Sequence, residues 1–169
     1  MQADLAQGRH VNFDQAFDRL IGNEGGYTDG AGDPGGETNW GISKRSYPNV
    51  DIKALTRDGA KQIYLTDFWQ RGQMDQYDPA IAFQVFDIAV NSGIETAVRM
   101  LQRAAGVADD GHIGPITVAA VNAKSATDML MLLIAERLDF WRKLSTWPRF
   151  GAGWAGRAAN DLRYAATDT

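Results

Sequence analysis

The chain has 169 residues, a net charge of −4 and no cysteine. Its length fits one domain or two small lobes sharing a core, and a 44% hydrophobic content argues against global disorder. The missing cysteines exclude disulfides, thiolate metal sites and a cysteine nucleophile. The two histidines, His10 and His112, lie far apart, which argues against a zinc site or a Ser-His-Asp triad. No run of Lys and Arg marks nucleic acid as a partner.

Residues 1 to 11 read as a loose arm with no apolar core of signal-peptide length. No later stretch is long and apolar enough to span a bilayer, so no stable membrane insertion is expected. The protein is expected to accumulate in the cytoplasm of the cell that makes it. Phe13, Phe17, Leu20 and Ile21 recur at helical spacing, with Asn12 as cap, and this helix ends at Asn23-Glu24-Gly25-Gly26.

A glycine-rich stretch follows, EGGYTDGAGDPGGETNWGIS, residues 24 to 43. Glycine at this density is a poor helix former, and suits tight turns and close backbone approach. Asp33-Pro34-Gly35-Gly36 signals a turn, and Glu37 to Ile42 can pair back as a hairpin. Residues 44 to 55 read as irregular. Thr56 caps a predicted helix running to about Trp69.

Asp78-Pro79 is a helix start, and Ala80 to Val90 is apolar nearly all round, the pattern of a central buried helix. Asp87 within it requires a partner if buried. Glu95 to Ala105 and Ile116 to Asn122 read as helices on either side of the turn GVADDGHIGP. A long helix is expected from Thr127 or Asp128 to about Leu144, with Met129, Leu132, Leu133, Ala135, Leu138 and Trp141 buried. Trp147-Pro148 breaks it, and a last helical segment is expected over Phe150 to Tyr164. The predicted class is mainly α (α+β): a helical domain with a small β-hairpin lobe near the N-terminus. It is read as a single domain over 1–169, with a catalytic lobe at 12–93 and a helical lobe at 94–165.

The chemistry sits in the glycine-rich stretch. Glu24 falls at the C-terminal end of an amphipathic helix, where the helix dipole disfavours negative charge and raises a carboxyl pKa, as a general acid requires. Asp33 lies nine positions on, and Thr38 five beyond that. Glycoside hydrolysis uses two carboxyl groups flanking the scissile bond, one to protonate the leaving oxygen and one to activate water or attack the anomeric carbon. Glu24 and Asp33 suit those roles, Asp29 is the main rival to Asp33 with Glu37 behind it, and the Thr38 hydroxyl can hold the water. Tyr27, Asn39 and Trp40 are candidates to line a sugar cleft, although Trp40 also fits a core position. Asn91 either reaches the cleft or caps the central helix. Neither a metal nor a cofactor is called for.

The motif EGGY…DPGGETNWGIS resembles the active-site signature of glycoside hydrolase family 108, the phage and bacterial N-acetylmuramidases. The resemblance extends through Ile63-Tyr64…Phe68-Trp69 and VFDIAVNSG (residues 85–93), to LQRAAGVADDGHIGPITVAAV (residues 101–121), similar to a peptidoglycan-binding segment, and FGAGWAGR (residues 150–157). It implies a lysozyme-like fold and an endolysin that cuts the β-1,4 bond between N-acetylmuramic acid and N-acetylglucosamine; whether the anomeric centre inverts or retains depends on the carboxyl separation, with inversion expected if the likeness to phage lysozymes holds. It further implies a monomer with bacterial peptidoglycan as partner, held in the host cytoplasm until a holin admits it to the periplasm and wall. The alternatives are a lytic transglycosylase, which uses one Glu and no water, and a non-catalytic peptidoglycan-binding accessory protein.

Overall fold

A computed structural model describes residues 11–22, 26–30 and 35–169. Among these residues the chain forms seven α-helices and one two-stranded antiparallel sheet. The mainly helical class with a small hairpin is therefore as expected. The chain divides into two compact units, Phe13–Asp67 and Phe68–Thr169, the latter joined by Val11 and Asn12.

The first unit holds helix α1 (Phe13–Ile21), strands β1 (Thr38–Asn39) and β2 (Ile42–Ser43), and helix α2 (Arg57–Tyr64). Thr56 caps α2 as the sequence indicates, its hydroxyl accepting from the Gly59 N–H at 3.1 Å. Phe17, Ile42, Ile52, Ala60 and Tyr64 are buried and supply a small core, with the Phe17 and Tyr64 rings 5.6 Å apart. Lys61 pairs with Asp14 at 2.9 Å and Arg57 with Asp18, both tying α2 to α1 at the surface. Exposed pairs of this kind contribute about 0–1 kcal/mol each, so the aromatic packing does most of the holding. The backbone continues from α2 as a π-helical turn, Leu65–Gln70.

The second unit is helical. Helix α3 (Pro79–Ser92) is buried from Ala80 to Ala89 and packs against α4 (Ile94–Ala105), α6 (Ala126–Trp141) and α7 (Trp147–Asp168). Its start is the one read from sequence, with the Asp78 carboxylate accepting from the Ala80 N–H at 2.9 Å ahead of Pro79. Because α3 is the centre of this unit, packing divides the chain at 67/68. Helix α5 (Pro115–Asn122) connects α4 to α6.

Two helix readings are corrected. Pro148 lies in the first turn of α7, where its missing N–H costs nothing, so Trp147-Pro148 opens the last helix, and the one before already ends at Trp141. The buried face of α6 is also turned by one position. Met129, Leu130, Leu133, Ile134 and Trp141 are buried as an apolar stripe, but Leu132 and Leu138 are about 40% exposed and Ala135 also faces out. Arg137, fully buried, takes the place in the stripe that an apolar residue would fill. Its guanidinium lies 2.6 Å from the Asp87 carboxylate and 2.5 Å from that of Asp161. Arg157 adds a third contact, donating to Asp87 Oδ1 at 2.8 Å. Asp87, 3% exposed, thus has the partners that its position in an apolar helix demands.

No single helix among the described residues is long and apolar enough to cross a membrane.

Candidate active site

The glycine-rich stretch is built around the β1–β2 hairpin. Thr38 pairs with Ser43 and Asn39 with Ile42, leaving Trp40 and Gly41 as a two-residue turn. Both have positive φ, 52° and 76°, as a type I′ turn requires. The reversal is therefore at Trp40-Gly41. The predicted turn at Asp33-Pro34-Gly35-Gly36 falls partly outside the described residues, as do Glu24 and Asp33 themselves.

A tryptophan in the left-handed region carries a strain of about 1–3 kcal/mol, and such strain persists only where the surroundings fix it. The fixing group is Tyr64. Its hydroxyl donates to the Trp40 carbonyl at 3.2 Å. Gly41 has to be glycine for a second reason besides φ, since a Cβ there would stand 2.4 Å from the same hydroxyl. Burial pushes the Tyr64 phenol up to about 12, so it keeps its proton and its donor role.

Successive residues of a strand face opposite ways. Asn39 and Ile42 point inward and are buried, at 6% and 2% exposure, while Thr38 and Ser43 on the other face are half-buried. Asn39, expected from sequence to line a sugar cleft, is thus placed on the buried face of the hairpin. Its amide donates to the carbonyls of Ile52 at 3.0 Å and Leu55 at 3.1 Å, fastening the hairpin to the irregular segment before α2. Asn39→Ala deletes both bonds and leaves two carbonyls without these donors. It is expected to lower the unfolding free energy by about 1–3 kcal/mol in urea titration, and an unchanged midpoint would contradict the anchoring role.

Thr38 stands on the outward face next to this anchor. Its hydroxyl donates to the Gly36 carbonyl at a long 3.3 Å, which leaves the oxygen lone pairs available. Segment 26–30 runs alongside, with Thr28 and Thr38 exchanging backbone hydrogen bonds at 2.8 and 3.0 Å. Gly30 permits this approach, because a Cβ would lie 2.1 Å from the Gly36 carbonyl carbon. Tyr27, 39% exposed, donates from its hydroxyl to Glu37 Oε1 at 2.9 Å. That bond to a carboxylate holds the Tyr27 pKa above its usual value. The Glu37 carboxylate is thus engaged by Tyr27, whereas Asp29 is exposed. Trp40 is half-buried at the tip of the turn. The hairpin unites Thr38, Trp40, Tyr27 and Glu37 in one small element, and Tyr64 is the supporting residue that sequence reasoning missed.

Asn91 belongs to the other unit. It is exposed near the end of α3 and donates to the Asp87 carbonyl one turn back at 2.7 Å. It lines a hollow with residues of α6 and α7. Elsewhere in this unit the DDGHIGP turn is organised by buried Gln102, whose amide donates to Asp110 Oδ1, the His112 carbonyl and Thr117 Oγ1 and accepts from the Gly111 N–H. The Asp110 carboxyl is held below its usual range by the His112 N–H and by Gln102. A cavity of about 380 Å³ beside this turn is bordered by Arg71, Glu95, Arg99 and His112, but Arg99 is already paired with Glu95 at 2.9 Å and with the Asp109 carbonyl. Among the described residues no group of three or more His, Cys, Asp and Glu side chains is placed to hold a metal ion.

Residues 17–93 match the family described as Glycosyl hydrolase 108, and residues 96–159 match a Predicted Peptidoglycan domain. The two matches meet inside the second unit, between α3 and α4, so family division and packing division differ. No curated protein matches the chain. Among solved structures, the chain is similar to the structure of Brucella abortus SagA, with 34% identity and a TM-score of 0.82 over 92% of this chain and 95% of that one. The lysozyme-like hairpin-and-helix architecture, the match to the glycosyl hydrolase segment and a similarity that spans nearly both chains lead to one conclusion: this protein belongs to glycoside hydrolase family 108.

Proposed function

We propose that the protein is an N-acetylmuramidase that hydrolyses the β-1,4 bond between N-acetylmuramic acid and N-acetylglucosamine. The observation that carries this reading is the pairing, in one chain, of a glycosyl hydrolase segment with a predicted peptidoglycan segment. Glu24 protonates the leaving oxygen, Asp33 activates the attacking water, and Thr38 orients that water from the outward face of β1. Tyr27 and Trp40 contact sugar. Asn39 acts on the site only through the hairpin it anchors. Residues 12–93 carry the chemistry and 94–165 hold the glycan strand. As an endolysin it acts as a monomer and depends on a holin to reach the wall.

Mass spectrometry of purified peptidoglycan after digestion tests the bond cut. Reducing muramic ends are expected. Anhydromuramic ends would replace hydrolysis by lytic transglycosylation, and bound but intact glycan would leave an accessory wall-binding protein.

A further inference from the structure

In the unit Phe68–Thr169, the ends of α3 and α6 and the middle of α7 surround a hollow of about 220 Å³. One wall is apolar, formed by Phe140, Trp141, Leu144 and Trp154. Trp141 is buried and stacks on Trp154 with ring centres 5.8 Å apart and planes 21° from parallel. Trp154, Phe140 and Leu144 remain only half-buried, so an apolar surface stays open to a ligand. The rim is polar and consists of Asn91, Ser92 and Arg157.

The rim groups have spare hydrogen-bonding capacity. Arg157 spends Nη1 on Asp87, and its other N–H groups make no hydrogen bond among the described residues; its side chain is 41% exposed. Asn91 turns its amide nitrogen back onto Asp87. Its Oδ1 makes no hydrogen bond among the described residues and remains an acceptor. The hollow thus combines a cationic donor, an amide acceptor and a flat apolar wall, within a volume suited to one sugar ring and its substituent.

We propose that this hollow binds one N-acetylated sugar residue of a glycan strand through its acetamido group. That group carries three features, a carbonyl acceptor, an N–H donor and a methyl. Arg157 supplies a donor to the carbonyl, Asn91 Oδ1 accepts from the N–H, and the methyl packs on the wall of Trp154, Phe140 and Leu144. A plain hexose lacks all three. Five of the seven lining residues lie within the segment 96–159, which matches a predicted peptidoglycan domain without any site being assigned to it. The choice of ligand rests on the peptidoglycan reading above; the site does not depend on the chain's catalytic activity.

The test is NMR titration of the full ¹⁵N-labelled Glu24→Gln chain with N-acetylglucosamine, chitotriose and glucose, following the five indole N–H signals assigned by single Trp→Phe variants. The Trp141 and Trp154 signals are expected to move with both acetylated sugars, with about tenfold weaker response to glucose, the worth of one good hydrogen bond. Leu144→Arg fills the hollow and Asn91→Ala removes the acceptor at an exposed position. Each is expected to weaken the acetylated sugars by about fivefold or more with the circular dichroism spectrum unchanged. Shifts that spare Trp154, or that glucose reproduces equally, would overturn the site, as would a folded Asn91→Ala chain with wild-type affinity. Because cleavage is read separately from products of the unmutated protein, a chain that fails to cut but shifts Trp154 refutes only the muramidase reading. A chain that cuts but leaves Trp154 unmoved refutes only this site.

Discussion

Replacing Glu24 by Gln is expected to slow glycan cleavage by roughly 10²- to 10⁴-fold with the fold unchanged, the range over which a positioned general acid acts. Gln keeps the size and polarity of Glu but has no acidic proton to give the leaving oxygen. Position 24 lies in the chain between helix α1 and segment 26–30. Helix α1 ends at Ile21, the glycine-rich stretch follows, and segment 26–30 returns to pair with Thr38. Asp33→Asn is expected to match that loss, since water activation needs an ionised carboxylate. Glu37→Gln is expected to cost under about tenfold, because that carboxylate already receives the Tyr27 hydroxyl and a neutral amide oxygen still accepts that bond. The measurement is the initial rate of soluble muropeptide release from purified sacculi. Full activity of Glu24→Gln would remove the acid from position 24. Full activity of Asp33→Asn would transfer the second role to the exposed Asp29 or to a mechanism with one acid.

How much of this was legible in the sequence depends on whether the cause is local. Thr56 and Asp78-Pro79 announce helices α2 and α3 because capping is settled within three or four residues. The apolar run of α3 predicts burial because every face is alike. The hairpin expected over Glu37 to Ile42 forms there, but its reversal at Trp40-Gly41 carries no strong local signal, because a tryptophan at positive φ is held by Tyr64, more than twenty residues later. The anchoring role of Asn39 is likewise not legible. Its partners are backbone carbonyls at 52 and 55, which no pattern in the sequence marks. The buried face of α6 was misassigned because a hydrophobic count places arginine outside. The carboxylates that draw Arg137 inward are 50 residues before it and 24 after it. Residue chemistry identified the candidate acids, but distant contacts decide which side chains stay free to meet a substrate.

Arg137→Met is expected to destabilise the protein by about 3–5 kcal/mol, the usual cost of removing one partner from a buried ion pair. Arg137 is fully buried between Asp87 and Asp161, and its guanidinium also lies 4.5 Å from the centre of the Trp141 ring. Methionine fills much the same volume but leaves two buried carboxyl groups facing each other, with only the half-exposed Arg157 to offset them. Adding Asp161→Asn replaces one of those carboxyl groups by an amide that cannot ionise, so the double variant is expected to regain part of the loss. The same group sets a pH dependence. Burial, and then the neighbouring charge of Asp87, pushes the Asp161 carboxyl up to about 7 against the opposing pull of Arg137 and Arg157. Its ordinary value is 3.8, so between about pH 4 and 7 the folded state holds a proton that the unfolded state has released. Stability from this group is therefore greatest below pH 4, falls as pH rises towards 7 by at most about 1.4 kcal/mol per pH unit, and is level above that. Asp161→Asn cannot ionise and should abolish this fall. Urea unfolding at pH 5 and 7.5 is expected to show the variant gaining on the unmutated protein at the higher pH. A constant difference between the two at both pH values would mean that Asp161 stays ionised in the folded state throughout, held by Arg137 as a simple ion pair.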